Sequence, residues 1–133
     1  MNCPCGSQKS FAECCEPVIK GSRPAATPEE LMRSRYSAYS QRVYDYIVNT
    51  THPQRRYEIN HEASREWMEN STFTKLEILR STNEGNKGVV EFIAHFQQDG
   101  KDHSHHEISR FRKQDGVWYF HEGRIVAPAN QIR

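Results

Sequence analysis

No cysteine occurs beyond position 15 of this 133-residue chain. No apolar run approaches the roughly 20 residues that a membrane-crossing helix requires. Neither sign of charge dominates, since 18 Lys and Arg face 17 Asp and Glu for a net +1. That balance argues against nucleic acid, whose binding proteins usually carry a clustered basic face. No glycine-rich phosphate loop, Ser-His-Asp order or HExxH pattern is present. The first residues lack the basic region followed by an apolar segment that marks a secretory signal. The expected compartment is therefore the cytoplasm, where thiols stay reduced and clustered cysteines more often hold metal than form disulfides. The length fits one ordinary domain with a small appendage and allows a self-standing core.

What the chain does have is all four of its cysteines in the opening stretch MNCPCGSQKSFAECC, at the spacing C-x-C-x8-C-C. Structural zinc takes four ligands tetrahedrally, and thiolate suits it. Cys3 and Cys5 make one jaw, Cys14 and Cys15 the other, and GSQKSFAE between them is long enough to turn back. Gly6 allows a tight turn and a close backbone approach. Backbone N–H groups there can bond the sulfurs, and Lys9 and Lys20 bring positive charge. The alternatives are another soft metal, an iron–sulfur centre, free thiols or crossed disulfides. A Cys3–Cys5 or Cys14–Cys15 bridge would be strained.

The filling PCGSQKSFAECC resembles the SEC-C motif, a zinc-binding segment also found at the C-terminus of the SecA translocation ATPase. The stretches ATPEELMRSRYSAY, VEFIAHF, HEISRF and GVWYFHEG resemble the YchJ family, so the similarity covers nearly the whole chain. The resemblance implies a zinc module over residues 1–20, followed over 21–133 by a nuclear transport factor 2-like, cystatin-like cone. It implies little about activity. In SecA the related segment contacts a chaperone partner and lipid.

Periodicity alone leads to an α+β class. EPVIKGSRPAA reads as a linker. Thr27 is a suitable N-cap, Pro28 fits the first helical position and Glu30 completes a capping box. Met32, Tyr36, Tyr39, Val43 and Tyr46 then form one apolar stripe, which predicts a helix through about residue 49. Pro53 breaks it, and a shorter helix follows, capped by Asn60, with Ile59, Ala63 and Trp67 along one side. From residue 72 the period becomes two, predicting strands over 72–82, 88–98, 103–113 and 117–126. Asp99-Gly100 and Asp115-Gly116 are two-residue hairpin turns, and NEGNKG joins the first two strands less tightly. Helices before a curved antiparallel meander define the class.

Two-residue turns fix a register. Phe92 opposes Glu107, Ala94 opposes His105, Phe96 opposes His103 and Phe111 opposes Phe120. One face therefore carries phenylalanines together with Glu107, a carboxylate that must be neutral, paired or beside a wet cavity. One reading makes Glu107 a pocket acid or base assisted by His105. The other is a buried ion pair with an arginine of MRSRY, Arg35 in preference to Arg33. His103 and His105 share a strand face and offer a second, weaker metal reading beside solvated histidines.

Two functions are carried forward. The first is a zinc-binding accessory protein whose N-terminal module docks a protein partner and whose second domain offers a scaffold or small-ligand cavity. The second is an enzyme using Glu107, with His105 and Arg35 as further catalytic candidates. This fold class hosts catalysts as well as inert dimerisation modules, so a homodimer stays among the partners considered.

Overall fold

The computed structural model describes residues 1–126, and residues 127–133 of the expected α+β domain lie outside the described residues. Four helices precede the sheet: α1 (Cys15–Ile19), α2 (Pro28–Gln41), α3 (Tyr44–Asn49) and α4 (His61–Asn70). Two 3-10 turns, Phe11–Glu13 and Pro53–Glu58, lie among them. The strands β1 (Thr72–Glu84), β2 (Lys87–Gln98), β3 (Lys101–Gln114) and β4 (Val117–Ile125) form one antiparallel sheet in the order β1-β2-β3-β4.

The turns behave as their residues dictate. Asp99 and Gly100 both take positive φ, 52° and 74°, as do Asp115 and Gly116 at 53° and 80°. That is the backbone twist a tight hairpin needs. The expected register follows, with Phe92 opposite Glu107, Ala94 opposite His105 and Phe111 opposite Phe120. The first hairpin is tighter than expected: Glu84 pairs Lys87 across Gly85-Asn86, with Gly85 at φ 60°. Register shifts within β1, between Phe73 and Lys75 and between Ile78 and Arg80, and a third opposite Arg110–Phe111 mark the irregularities that curve such a sheet.

Along β2 the alternation is strict: Gly88, Val90, Phe92, Ala94 and Phe96 are buried, with half-buried residues between. On this face lies α2, contributing Leu31, Met32 and Tyr36 to one core with Val90, Phe92, Phe111 and Trp118. At Gly88 a methyl would collide with the Pro28 ring, so the start of α2 rests directly on the β2 backbone.

Three expectations are corrected. The single helix through residue 49 is two, because Arg42 adopts a left-handed conformation (φ 60°) that ends α2, and Val43 leads into α3. The Thr27 hydroxyl does accept from the Glu30 N–H at 3.0 Å, but the Glu30 carboxylate reaches Ala26 N and Arg23 instead of closing the box. The segment read as a linker begins inside α1, whose Val18 is buried, because Glu16–Ile19 are helical and pack on α2.

Candidate functional site

The cysteine loop is a small hairpin. Cys3 N–H donates to the Lys9 carbonyl at 2.8 Å, and Gly6, at φ 81°, returns its N–H to the Cys3 carbonyl at 3.2 Å. That brings Cys3 and Cys5 over Cys14 and Cys15, and all four Sγ atoms lie within 4.8 Å of one another. The Cys5–Cys14 separation is 3.7 Å and the Cys14–Cys15 separation 3.9 Å. Both are far beyond a disulfide bond of about 2.05 Å. Thiolates about 2.3 Å from one central ion stand about 3.8 Å apart at tetrahedral corners. The cluster thus has the size to hold a single four-coordinate metal ion.

Its electrostatics call for a cation. The Cys15 thiol, donating to Cys5, outweighs burial and, with help from Ser7, holds Cys5 down at about 4. The same contact, with burial, pushes Cys15 up, and burial pushes Cys14 up. Cys5 is thus the readiest thiolate of the cluster, and a bound cation would favour ionisation of Cys14 and Cys15 as well. Of the expected lysines, Lys20 turns to Glu16, while Lys9 lines a depression beside Cys14 and Cys15. Two arginines whose place at this site sequence reasoning missed also approach. Arg33 Nη1 donates to the Cys5 carbonyl at 2.7 Å, and Arg23 Nη2 to the Cys14 carbonyl at 3.1 Å. Ser7 Oγ lies 3.1 Å from Cys14 Sγ and Ser37 Oγ 3.5 Å from Cys3 Sγ. A clue to Arg33 was present in its i,i+4 spacing from Glu29, which it pairs at 3.0 Å. Cys3, Cys5 and Cys15 are buried in the same core as Leu31 and Val90.

The second feature is a cavity of about 150 Å³ between α2 and the sheet. Aromatic rings of Tyr36, Tyr39, Trp67, Phe92 and Phe120 form its walls, and Arg35, His105, Glu107 and Ser109 its polar part. Glu107 faces inward, as the register required. The ion pair expected with Arg35 does not form, nor one with Arg33. Glu107 Oε1 lies 2.7 Å from His105 Nε2, and Oε2 accepts a very short bond from the Ser109 hydroxyl. Burial works to raise the Glu107 carboxyl, but the His105 and Ser109 bonds, with a smaller contribution from the Arg35 charge, hold it below its ordinary range. At Gly123 of β4 a methyl would meet this carboxylate.

Arg35 is only 7% exposed, yet it turns away from Glu107 for a physical reason. Its Nη1 donates to the Ile47 carbonyl at 3.0 Å and to Thr50 Oγ1 at 2.7 Å, acceptors exposed where α3 ends. Its guanidinium lies 4.6 Å from the centre of the Phe120 ring. The chain at Thr50–His52 pairs with β4 there, through Phe120 N to Thr50 O at 2.8 Å and His52 N to Phe120 O at 2.7 Å. The break at Arg42, invisible in the apolar stripe, is followed by α3, whose C-terminal end carries these acceptors. The paired-histidine metal reading also falls away: His103 stacks on Phe96 and His105 bonds Glu107, and neither joins a metal-sized cluster among the described residues.

A helix-covered antiparallel cone joined to a four-cysteine hairpin defines a SEC-C motif linked to a nuclear transport factor 2-like domain. The SEC-C motif matches residues 2–17, and the family described as YchJ, middle NTF2-like domain, matches residues 27–123. This chain belongs to the YchJ family, the group of UPF0225 proteins. A UPF0225 protein of Geobacter sulfurreducens is 48% identical over 129 residues, covering 95% of this chain and 80% of that one. The solution structure of a SEC-C motif containing protein from Rhodopseudomonas palustris matches with a TM-score of 0.88 and 52% identity, over 96% of this chain and 100% of that one. A crystal structure of another such protein, from Psychrobacter arcticus, has a TM-score of 0.80 and 29% identity, covering 97% of this chain and 85% of that one. Among the described residues no helix is long and apolar enough to cross a membrane.

Proposed function

We propose that this chain is a cytoplasmic zinc-binding accessory protein. In this reading Cys3, Cys5, Cys14 and Cys15 hold one structural zinc, the resulting module docks a protein partner, and the cone behind it carries a small-ligand cavity. The observation that carries the metal assignment is the convergence of four sulfurs within 4.8 Å, at spacings suited to one ion. Soft thiolates favour zinc over the hard cations, and a four-thiolate set without an open position makes its role structural. Elemental analysis of protein purified without chelator tests this directly. One zinc per chain is expected, with four thiols that react only after chelation. Metal-free protein with four freely titrating thiols overturns it. The partner role is tested by pull-down with the parent chain and with a variant carrying serine at the four cysteine positions.

A second reading is favoured by one observation. Glu107 sits at the wall of a cavity, joined to His105 and not to an arginine. This arrangement supports Glu107 as a general acid or base assisted by His105. A Glu107→Gln chain that keeps its stability but loses turnover of a bound ligand would favour that enzyme reading over the accessory one.

A further inference from the structure

The cone cavity, if it is the ligand site proposed above, has a composition that restricts what it accepts. Its walls are aromatic, and its volume of about 150 Å³ is that of cavities known to admit a benzene-sized ring. Two opposite charges line it without touching each other. Arg35 is 7% exposed and bonded through Nη1 alone, so among the described residues nothing accepts from its Nε or Nη2. Glu107 receives one bond on each oxygen, from His105 and Ser109, and a carboxylate has roughly four acceptor sites. One pole thus retains donors and the other retains acceptors.

We propose that this cavity binds a small, net-neutral, single-ring lactam, a flat heterocycle whose ring C=O accepts from Arg35 and whose N–H donates to Glu107. The two buried charges already balance. An anionic ligand would satisfy Arg35 but sit beside the Glu107 carboxylate, and a cationic one would do the reverse; either leaves a net charge in an apolar enclosure. A neutral ring with a donor and an acceptor answers both poles and stacks its faces on Trp67, Phe92 and Phe120. A plain hydrocarbon fills the volume but leaves both poles unanswered.

Four probes of similar size separate these cases on the metal-loaded full chain, followed by two-dimensional amide and indole NMR: 2-pyridone, benzoate, benzylammonium and toluene. The expected order places 2-pyridone first, with each of the others about tenfold weaker or more, and shifts centred on the Trp67 indole and the Ala94 and Ser109 amides. Glu107→Gln and Arg35→Met should each weaken 2-pyridone by about tenfold, the loss of one charge-assisted bond, while toluene is little changed. The ranking in the parent chain stands even if a variant fails to fold. Tighter binding of benzoate or benzylammonium, or equal binding of toluene, overturns the lactam assignment and leaves the cavity as a ligand site. Binding by none of the four overturns the ligand-site reading as well.

Discussion

The guanidinium of Arg33 donates to the backbone carbonyl of Cys5 at 2.7 Å, across 28 residues of sequence. Through it the cysteine hairpin is fastened to the first long helix, and the same side chain is held in place by Glu29 one turn earlier. Positioning groups of this kind around metal ligands typically change metal affinity by 10–100-fold when removed. If the proposed zinc is bound, Arg33→Met should release it to a colorimetric chelator roughly tenfold faster than the parent chain does. An unchanged release rate would mean that the hairpin holds its shape unaided.

Metal removal should act at two levels. On the proposed metal reading residues 1–20 depend for their order on the ion, which is worth roughly 10–16 kcal/mol in isolated zinc peptides. Chelation should therefore release the hairpin while the sheet, whose own side of the core has no cysteine, persists. Because Cys3, Cys5 and Cys15 pack with Leu31 and Val90, the remaining domain should also melt at a lower temperature. Hydrogen exchange resolves the two effects. Simultaneous loss of protection in β2 and β3 on chelation would show that residues 1–20 and 21–133 are one cooperative unit.

Truncating Glu107 tests the cavity wall. Glu107→Ala strands the His105 and Ser109 donors and removes a charge that partly balances Arg35. An expected loss of about 1–3 kcal/mol in urea unfolding follows from leaving buried polar groups unpaired. The figure lies below that for breaking a direct buried ion pair because Arg35 keeps its partners at Ile47 and Thr50. A loss of 5 kcal/mol, about the upper end for a broken buried pair, would indicate that Arg35 and Glu107 do meet in solution.

Acid should weaken the fold through the same residue. The folded Glu107 carboxyl lies below its ordinary value of 4.5, so its contribution is complete above that range and is lost as pH falls through the depressed folded value. Unfolding free energy measured between pH 6 and pH 3, about the span in which carboxylates titrate, should fall less steeply for Glu107→Gln than for the parent. Parallel curves would refute the depressed value.

Gly123→Ala should displace the Glu107 carboxylate, since the added methyl occupies its position opposite Ser109. A cost of about 1–3 kcal/mol is typical of such overpacking. The double variant Gly123→Ala with Glu107→Gln should lose no less than either alone, whereas Gly123→Ala with Glu107→Ala should recover part of the loss. Strict additivity in that last pair would show that the two residues are not in contact.

Much of this architecture was legible residue by residue. Asp-Gly pairs demand positive φ, so their position sets the pairing of Phe92 with Glu107 and Phe111 with Phe120 before any tertiary contact is considered. The cysteine spacing likewise leads to one cluster, since short loops permit few arrangements. Arg42 shows where local reading stops. The apolar stripe runs through it unbroken, yet its left-handed conformation ends α2 and redirects α3, a change favoured by packing Ala38, Ile47 and Met68 together.

The sequence by itself determined the order of helices before sheet, the registers at the two Asp-Gly turns, the inward face of Glu107 and the four sulfurs, because each depends on turn chemistry, alternation or short-range spacing. Tertiary structure alone decided the partners of the buried charges. Arg35 takes the Ile47 carbonyl and the Thr50 hydroxyl because the end of α3 sets both beside its guanidinium. Arg33 and Arg23 reach Cys5 and Cys14 because carbonyls in a folded-back loop need donors: α2 brings Arg33 there, and the turn between α1 and α2 brings Arg23.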